Sequence, residues 1–433
     1  MANILIYSPN VVGKSMAGPS IRAWEFAKAL SKDHNVTLII PNQTDIESNQ
    51  FKIVCKTDQN LLYYQKQADV LILQTITLGQ ALFAKRHGIH IILDAYDPLP
   101  LETLEIHKNN PEKEKNEAYD SCLSNLLFNF KMADTIICAS EKQRDLWLGL
   151  LLGQKCITPA LYDKDTSLRD YIDVVPFGLP NELAKKTGVG FRQQFGIKQT
   201  DKVLIWGGGI WNWFDPLSLI KAIECISHTR DDIKLVFMGI KNPDPSVAEM
   251  AMCTQAIHLA KELNILDKYV FFNYGWVPYE ERQNFLLEAD IGVSTYFDHL
   301  ETRFSFRTRL LDYIWAHLPI IATAKDSFAD IIQQNNLGIV VPPKNVEALV
   351  EAILSLVNDP DRMQRIKKQL SNFQSQFQWN TIVEPIQNMI SKAMLKEKKK
   401  YSYNDIKNCS SFFFAKVREK GIKACFKKLF SKG

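Results

Sequence analysis

Between His299 and Thr323 the chain reads HLETRFSFRTRLLDYIWAHLPIIAT, which places Glu301, Arg303, Arg307, Arg309 and Asp312 within twelve positions. Arginine at this density suits an anion, because the planar guanidinium fork can hold two oxygens of a diphosphate. The preceding DIGVSTYFD reads as a strand ending near Asp298, and Ser305 as an N-cap predicts a helix from about Phe306 to His317. A helix N-terminus after a parallel strand offers free amides, here near Ser305 and Phe306, to a phosphate. Leu310, Leu311, Ile314 and Trp315 would form the buried stripe, with Thr308, Arg309 and Asp312 on another face. A carboxylate there, Asp312, can accept both hydroxyls of a ribose. The alternative is an ion-paired surface helix in which Asp298, Glu301 and Asp312 answer the arginines. The concentration of charge at a strand-to-helix junction favours the anion site.

A second signal is LIWGGGIWNWFDP, Leu204–Pro216. Glycines such as Gly208 and Gly209, directly after a strand, let the backbone come close to a ligand. Trp211, Trp213 and Asp215 follow. The competing reading is a tight turn beside core tryptophans.

These segments need a frame. In the first half ANILIYSP, NVTLIIP, DVLILQT, HIILDAY and DTIICAS read as strands separated by helical patterns such as IRAWEFAKALSKD. In the second half KVLIWGGG, IKLVFMG, YVFFNYGWV, DIGVSTY, LPIIAT and GIVVPP repeat the scheme. Such alternation predicts an α/β chain of two tandem Rossmann-like, doubly wound domains. VVPFGLPNE, Val174–Glu182, reads as the linker. The expected division is one Rossmann-like domain over 1–178 and another over 179–375. A helix over 376–391 would pack back on the first domain, and a basic tail would span 392–433. Ligands bind beyond the carboxyl ends of such strands, so the natural site is the cleft between the domains.

At 433 residues the chain suits two domains. With 46% hydrophobic and 23% charged residues it has an ordinary globular composition. The opening MANILIYSPN has neither the basic n-region nor the cleavage site of a signal peptide, and no run of 18 apolar residues occurs. The eight cysteines show no C-x-x-C spacing and the eight histidines no metal spacing, which fits a reducing cytosol and no metal site. Residues 391–433 hold thirteen Lys or Arg against three Asp or Glu, so a net charge of +4 overall leaves the first 390 residues at −6. That split points to an anionic surface as partner. In FFFAKVREKGIKACFKKLF, Ile422, Cys425, Phe426, Leu429 and Phe430 fall on one face and Lys423, Lys427 and Lys428 on the other, a pattern that, with Phe412 and Phe413 ahead of it, suits a membrane surface. A solvated tail is the bland alternative. No nucleic-acid recognition module is visible.

The DYIWAHLPIIAT segment resembles the nucleotide-sugar site of the retaining glycosyltransferases of family 4, which have the GT-B fold. Their hallmark is two glutamates eight residues apart, the second followed by a pattern like A-x-A-x-G-x-P-V-I-A-T. Asp312 stands in place of the second glutamate; Phe304 stands where the first would be, and Glu301 is the nearest upstream acid. The block is similar to a bacterial surface-polysaccharide subgroup that carries ETRFSFRTRLLDY. By this resemblance Asp312 holds the ribose and Glu301 approaches the donor sugar or its phosphates. The family's Gly turn usually carries an arginine and a following lysine, both absent here, so Arg303, Arg307 or Arg309 would supply the missing charge. YGWVPYEER is similar to the loop that meets the nucleobase, through backbone groups near Val277 and the ring of Trp276. Gly13 and Gly18 would shape a loop beside phosphates or acceptor. ILDAYDPLPLE sits where the family often has a His-Asp pair after the fourth strand, which makes Asp97 the candidate polar group at the reacting centre, though a turn aspartate before Pro98 reads equally well. The resemblance also makes 1–178 the acceptor-binding domain and 179–375 the nucleotide-sugar-binding domain.

The resemblance implies a peripheral enzyme at the cytoplasmic face of the plasma membrane. It would move a sugar from a nucleotide diphosphate sugar to a lipid-linked glycan for O-antigen or capsule. Anomeric configuration would be retained, and neither metal nor cofactor is expected. Asp97, Glu301 and Arg307 are the expected catalytic residues. A nucleotide-sugar epimerase of the same fold and a non-catalytic membrane partner of another transferase are the competing readings.

Overall fold

The computed structural model describes residues 1–244, 247 and 249–395. Short aliphatic runs form its strands. VLIL (β4), TIIC (β6) and IIAT (β12) are buried along their whole length, as expected where helices cover both faces of a parallel sheet. The first sheet holds β1 (Asn3–Tyr7), β2 (Asn35–Ile40), β3 (Lys52–Cys55), β4 (Val70–Leu73), β5 (His90–Asp94), β6 (Thr135–Cys138) and β7 (Ile172–Val174), in the order β3-β2-β1-β4-β5-β6-β7. The second holds β8 (Lys202–Trp206), β9 (Ile233–Phe237), β10 (Val270–Phe272), β11 (Ile291–Ser294), β12 (Ile320–Thr323) and β13 (Gly338–Val341), in the order β10-β9-β8-β11-β12-β13. Every pairing between these strands is parallel. The two Rossmann-like domains expected from the strand pattern are therefore present. Strands β3 and β7, short and partly exposed, are additional to those the sequence pattern predicts.

Each sheet reverses its winding once, between β1 and β4 and between β8 and β11. Loops leaving the carboxyl ends of strands diverge at such points and open a crevice. The two crevices face each other.

The chain crosses between the domains twice, side by side. Leu179 N–H donates to Phe377 O at 2.7 Å, and Trp379 N–H donates to Leu179 O at 3.0 Å. Trp379 is buried against the rings of Phe26 and Phe177, at centroid distances of 5.8 and 5.0 Å. A Cβ on Gly178 would fall 2.4 Å from the Trp379 ring, so this crossing requires glycine. The last described helix, Glu384–Leu395, lies on the first domain, where Gln387 donates to Asp33 at 3.1 Å and Lys392 pairs with Asp170.

The expected helix over Phe306–His317 is shorter and differently capped. Leu300–Phe304 is a separate turn of helix that ends at Ser305, and the next helix runs Thr308–Trp315 with Arg307 at its N-cap. Ser305 does not cap it. Its backbone is extended and its hydroxyl donates to Glu301 Oε1 at 2.5 Å, a charge-assisted bond that turns the side chain back toward the preceding helix.

Candidate active site in the interdomain cleft

A cavity of about 660 Å³ fills the space between the two switch points. The first domain contributes Asn10 after β1, Gly18 at the start of the helix Gly18–Leu30, Gln74 and Thr75 after β4, and Asp97 and Glu102 after β5. The second contributes Gly207, Gly208 and Gly209, Trp211, Trp276 and Val277, and Ser305 to Arg309 with Asp312.

The glycine turn is locked to the helix Thr308–Trp315. Gly207 N–H donates at 2.7 Å to the Tyr313 hydroxyl, whose own proton faces Ile205 O at 3.0 Å and Val293 O at 2.9 Å. Gly208 has φ +71, a left-handed conformation that glycine adopts without strain. Trp276 packs along Gly209 and donates from Nε1 to Met16 O of the first domain at 3.2 Å. Trp211 and Trp213 stack on each other with centroids 5.2 Å apart and both line the cleft, so these tryptophans belong to core and site at once. Asp215 instead caps the helix Pro216–Ser227, accepting from Ser218 N–H at 3.0 Å.

The arginines take different roles. Arg307 is buried, with Nη1 and Nη2 donating to the two oxygens of Glu301 at 2.8 and 2.7 Å. Asp326 lies 3.4 Å from its Nε, and burial pushes the Asp326 carboxyl up to about 6. Glu301, only 1% exposed, does not line the cleft; it holds Arg307 from behind. Arg303 is exposed on the short helix and also lies outside the cleft lining, so it does not join the others. Arg309 stands over the Trp206 and Phe214 rings at 4.6 and 4.3 Å and donates from Nη2 to Gly209 O at 2.6 Å. Its Nη1 has no partner among the described residues. The cation nearest the glycine turn is thus supplied from helix Thr308–Trp315, 100 positions later in the chain.

Asp312 lines the cleft with its side chain 27% exposed and accepts from Arg282 Nε at 3.0 Å. Burial raises its carboxyl above the ordinary range, against the pull of Arg282.

On the opposite wall Arg22 supports the loop after β5. It is fully buried, forks onto Asp94 at 2.7 and 2.9 Å, and lies between the Phe26 and Tyr96 rings. Asp97, just beyond, is shifted upward by burial and then by the neighbouring Asp94 charge. Glu102 is also held well above the carboxylate range by burial, followed by Asp97 and Glu301. Two carboxyls on this wall therefore favour the neutral, proton-donating form. Gly18 borders the cavity; Gly13 packs against Asp45 outside it.

Sequence reasoning brought Asp97, Gly208, Gly209, Trp276, Val277, Ser305, Phe306, Arg307, Arg309 and Asp312 to one cavity. It missed Glu102, though a second acid in ILDAYDPLPLE was available as a signal, and Arg282, which lies 30 positions from its partner Asp312 with no spacing rule to link them. Among the described residues no group of three or more His, Cys, Asp or Glu could hold a metal ion. None of their helices is long and apolar enough to cross a membrane. Phe412, Phe413, Phe426, Lys427, Lys428, Leu429 and Phe430 lie outside the described residues.

The glycine turn, Arg309 and Asp312 fall inside the part of the chain, residues 190–372, that matches the family described as Glycosyl transferases group 1. No curated protein matches the chain by sequence. Among solved structures, sucrose-phosphate synthase from Thermosynechococcus elongatus is similar at 16% identity and TM-score 0.60, over 91% of this chain and 99% of that one. WaaG, a glycosyltransferase involved in lipopolysaccharide biosynthesis, is similar at 15% identity and TM-score 0.60, over 89% of this chain and 98% of its own. HepE of Anabaena in complex with UDP-glucose follows at 12% identity and TM-score 0.62, over 90% and 100%. At these identities the likeness speaks for the fold alone, which is GT-B: two Rossmann-like domains that face each other across the cleft.

Proposed function

We propose that this chain transfers a glycosyl group from a nucleoside diphosphate sugar to a lipid-linked glycan in the assembly of a bacterial surface polysaccharide, with retention of configuration. The observation that carries this is the convergence of four elements on one side of the cleft. They are the Gly207–Gly209 turn, the N-terminus of helix Thr308–Trp315, the Arg309 guanidinium and the Asp312 carboxylate. The turn admits a diphosphate to close range. Arg309 and the helix amides meet its charge, and Asp312 receives the ribose diol. Trp276 and Val277 border the place of the base.

In the reaction the bond from the anomeric carbon to the diphosphate breaks, and charge grows on the leaving oxygen. Fixed donors aimed at that oxygen lower the barrier most. Arg309 is the cation with a free nitrogen at the turn, whereas Arg307, held by Glu301, anchors the loop that delivers it. Asp97 and Glu102 face the sugar as carboxyls whose ionised forms burial disfavours. They can hydrogen-bond sugar or acceptor hydroxyls. The basic tail would hold the enzyme at an anionic membrane, where a lipid-linked acceptor is found.

A thermal-shift series with nucleoside diphosphates and their sugars, without added metal, tests the reading. One nucleotide should stabilise the protein, and Arg309→Ala and Asp312→Ala should abolish the shift. If no nucleotide or nucleotide sugar moves the wild-type transition, the donor reading is wrong.

A further inference from the structure

The cavity is closed on one side by contacts between the domains, and one of them continues to the donor wall. Glu25 lies on the first-domain helix Gly18–Leu30 and is only 5% exposed. The Tyr279 hydroxyl, from the second domain, donates to Glu25 Oε1 at 3.0 Å. Tyr279 is held at its other end as well, since its N–H donates to Lys14 O of the first domain at 2.8 Å. Arg282 lies over the Tyr279 ring at 3.8 Å and over the Trp315 ring at 4.5 Å. Its Nη1 donates to Tyr279 O at 2.6 Å and its Nε to Asp312 Oδ1 at 3.0 Å. Oδ2 of Asp312 accepts from none of the described residues.

We propose that Arg282 is a positioning residue that ties the setting of the Asp312 carboxylate to the seating of the first domain, acting through Tyr279 and Glu25. The inference rests on the reading of Asp312 as the ribose-binding carboxylate. A carboxylate pinned at one oxygen has a fixed plane, so its other oxygen can meet a diol at a defined angle. The pin is Arg282, and the guanidinium is fixed in turn by the ring and carbonyl of Tyr279. With the first domain withdrawn, the Tyr279 hydroxyl and amide both lose their partners. The residue is then free to shift, and Arg282, stacked on its ring and bonded to its carbonyl, shifts with it. The donor's ribose is gripped fully only when the domains are seated, so the open enzyme holds its donor loosely. Burial favours the neutral form of Glu25, yet either form can accept the Tyr279 proton, so the contact does not depend on ionisation.

The relay leaves a signature that general loosening would not. Isothermal titration of the uridine, guanosine, adenosine and cytidine diphosphates, each with its 2′-deoxy form, would be carried out on the full chain. The wild type should prefer the ribose form of its nucleotide by about ten-fold. Tyr279→Phe keeps the ring and removes only the hydroxyl; Arg282→Lys keeps the charge and removes the fork. Both should shrink the preference to about three-fold or less, as Asp312→Asn does, while affinity for the 2′-deoxy form changes by less than about two-fold. If both forms weaken together and the preference survives, Tyr279 and Arg282 are merely structural and the relay is overturned. Equal binding of the two forms by the wild type would remove Asp312 from the ribose and the relay with it. A wild type that binds no nucleoside diphosphate would overturn the donor reading itself.

Discussion

Arg307 turns both terminal guanidinium nitrogens onto Glu301, at 2.8 and 2.7 Å, and both side chains are buried. The pair clamps the segment between the short helix Leu300–Phe304 and the helix Thr308–Trp315, the segment that leads into Arg309. Removing one member strands the other as a buried charge, which typically costs about 3–5 kcal/mol. Glu301→Ala is therefore expected to lose about 3 kcal/mol or more in urea unfolding. Arg307→Ala should lose a comparable amount, and the double variant clearly less than the sum. A Glu301→Ala protein that unfolds at the wild-type midpoint would show that the pair does not hold this loop.

Arg309 differs because a terminal nitrogen, Nη1, is unengaged among the described residues and its guanidinium packs against the rings of Trp206 and Phe214. Arg309→Ala should weaken nucleoside diphosphate binding by about ten-fold or more, the scale of a charge-assisted hydrogen bond. Arg309→Lys should restore little of it, since an ammonium can neither stack on Trp206 and Phe214 nor reach Gly209 O and a phosphate with one planar fork. Titration calorimetry measures both. Full recovery by lysine would mean that only the charge matters.

Asp97 gives a pH dependence with a defined sign. Its folded carboxyl titrates above the unfolded value because of burial and then Asp94. The favourable contribution of its neutral form is complete below about pH 4 and is lost as pH rises through the folded value. Asp97→Asn lacks that slope. The variant should be more stable than the wild type at pH 8, and the difference should shrink steadily toward pH 4. Urea unfolding across this range checks it, and a gap independent of pH would refute it.

The tail can be separated from the cleft. A chain ending at residue 395 loses most of the basic excess counted from the sequence. It should no longer co-sediment with vesicles rich in anionic phospholipid, whereas the full chain should, with release as salt is raised. Nucleotide binding should be unchanged. Equal sedimentation of the two would move membrane contact away from the tail.

Much of this was set by local sequence. Buried parallel strands are short aliphatic runs, and helices between them repeat at 3.6, so LPIIAT, DTIICAS and the two-domain plan could be read without coordinates. So could the glycine turn and the cluster around Arg309 and Asp312, because each lies within one strand-to-helix junction. The tertiary structure decided what each charge does there. Glu301 and Arg307 are six residues apart and became a buried clamp, and Ser305 left its capping role for that clamp. Arg303, four residues before Arg307, stayed exposed. Glu25, Tyr279, Arg282 and Asp312 meet only because two sheets face each other, and Glu25 is 254 positions from Tyr279. Residue type and spacing fix which groups can bind an anion or a diol. Which of them remain available depends on the partner that desolvation forces on each buried charge, and that partner is chosen across the cleft, where spacing along the chain carries no information.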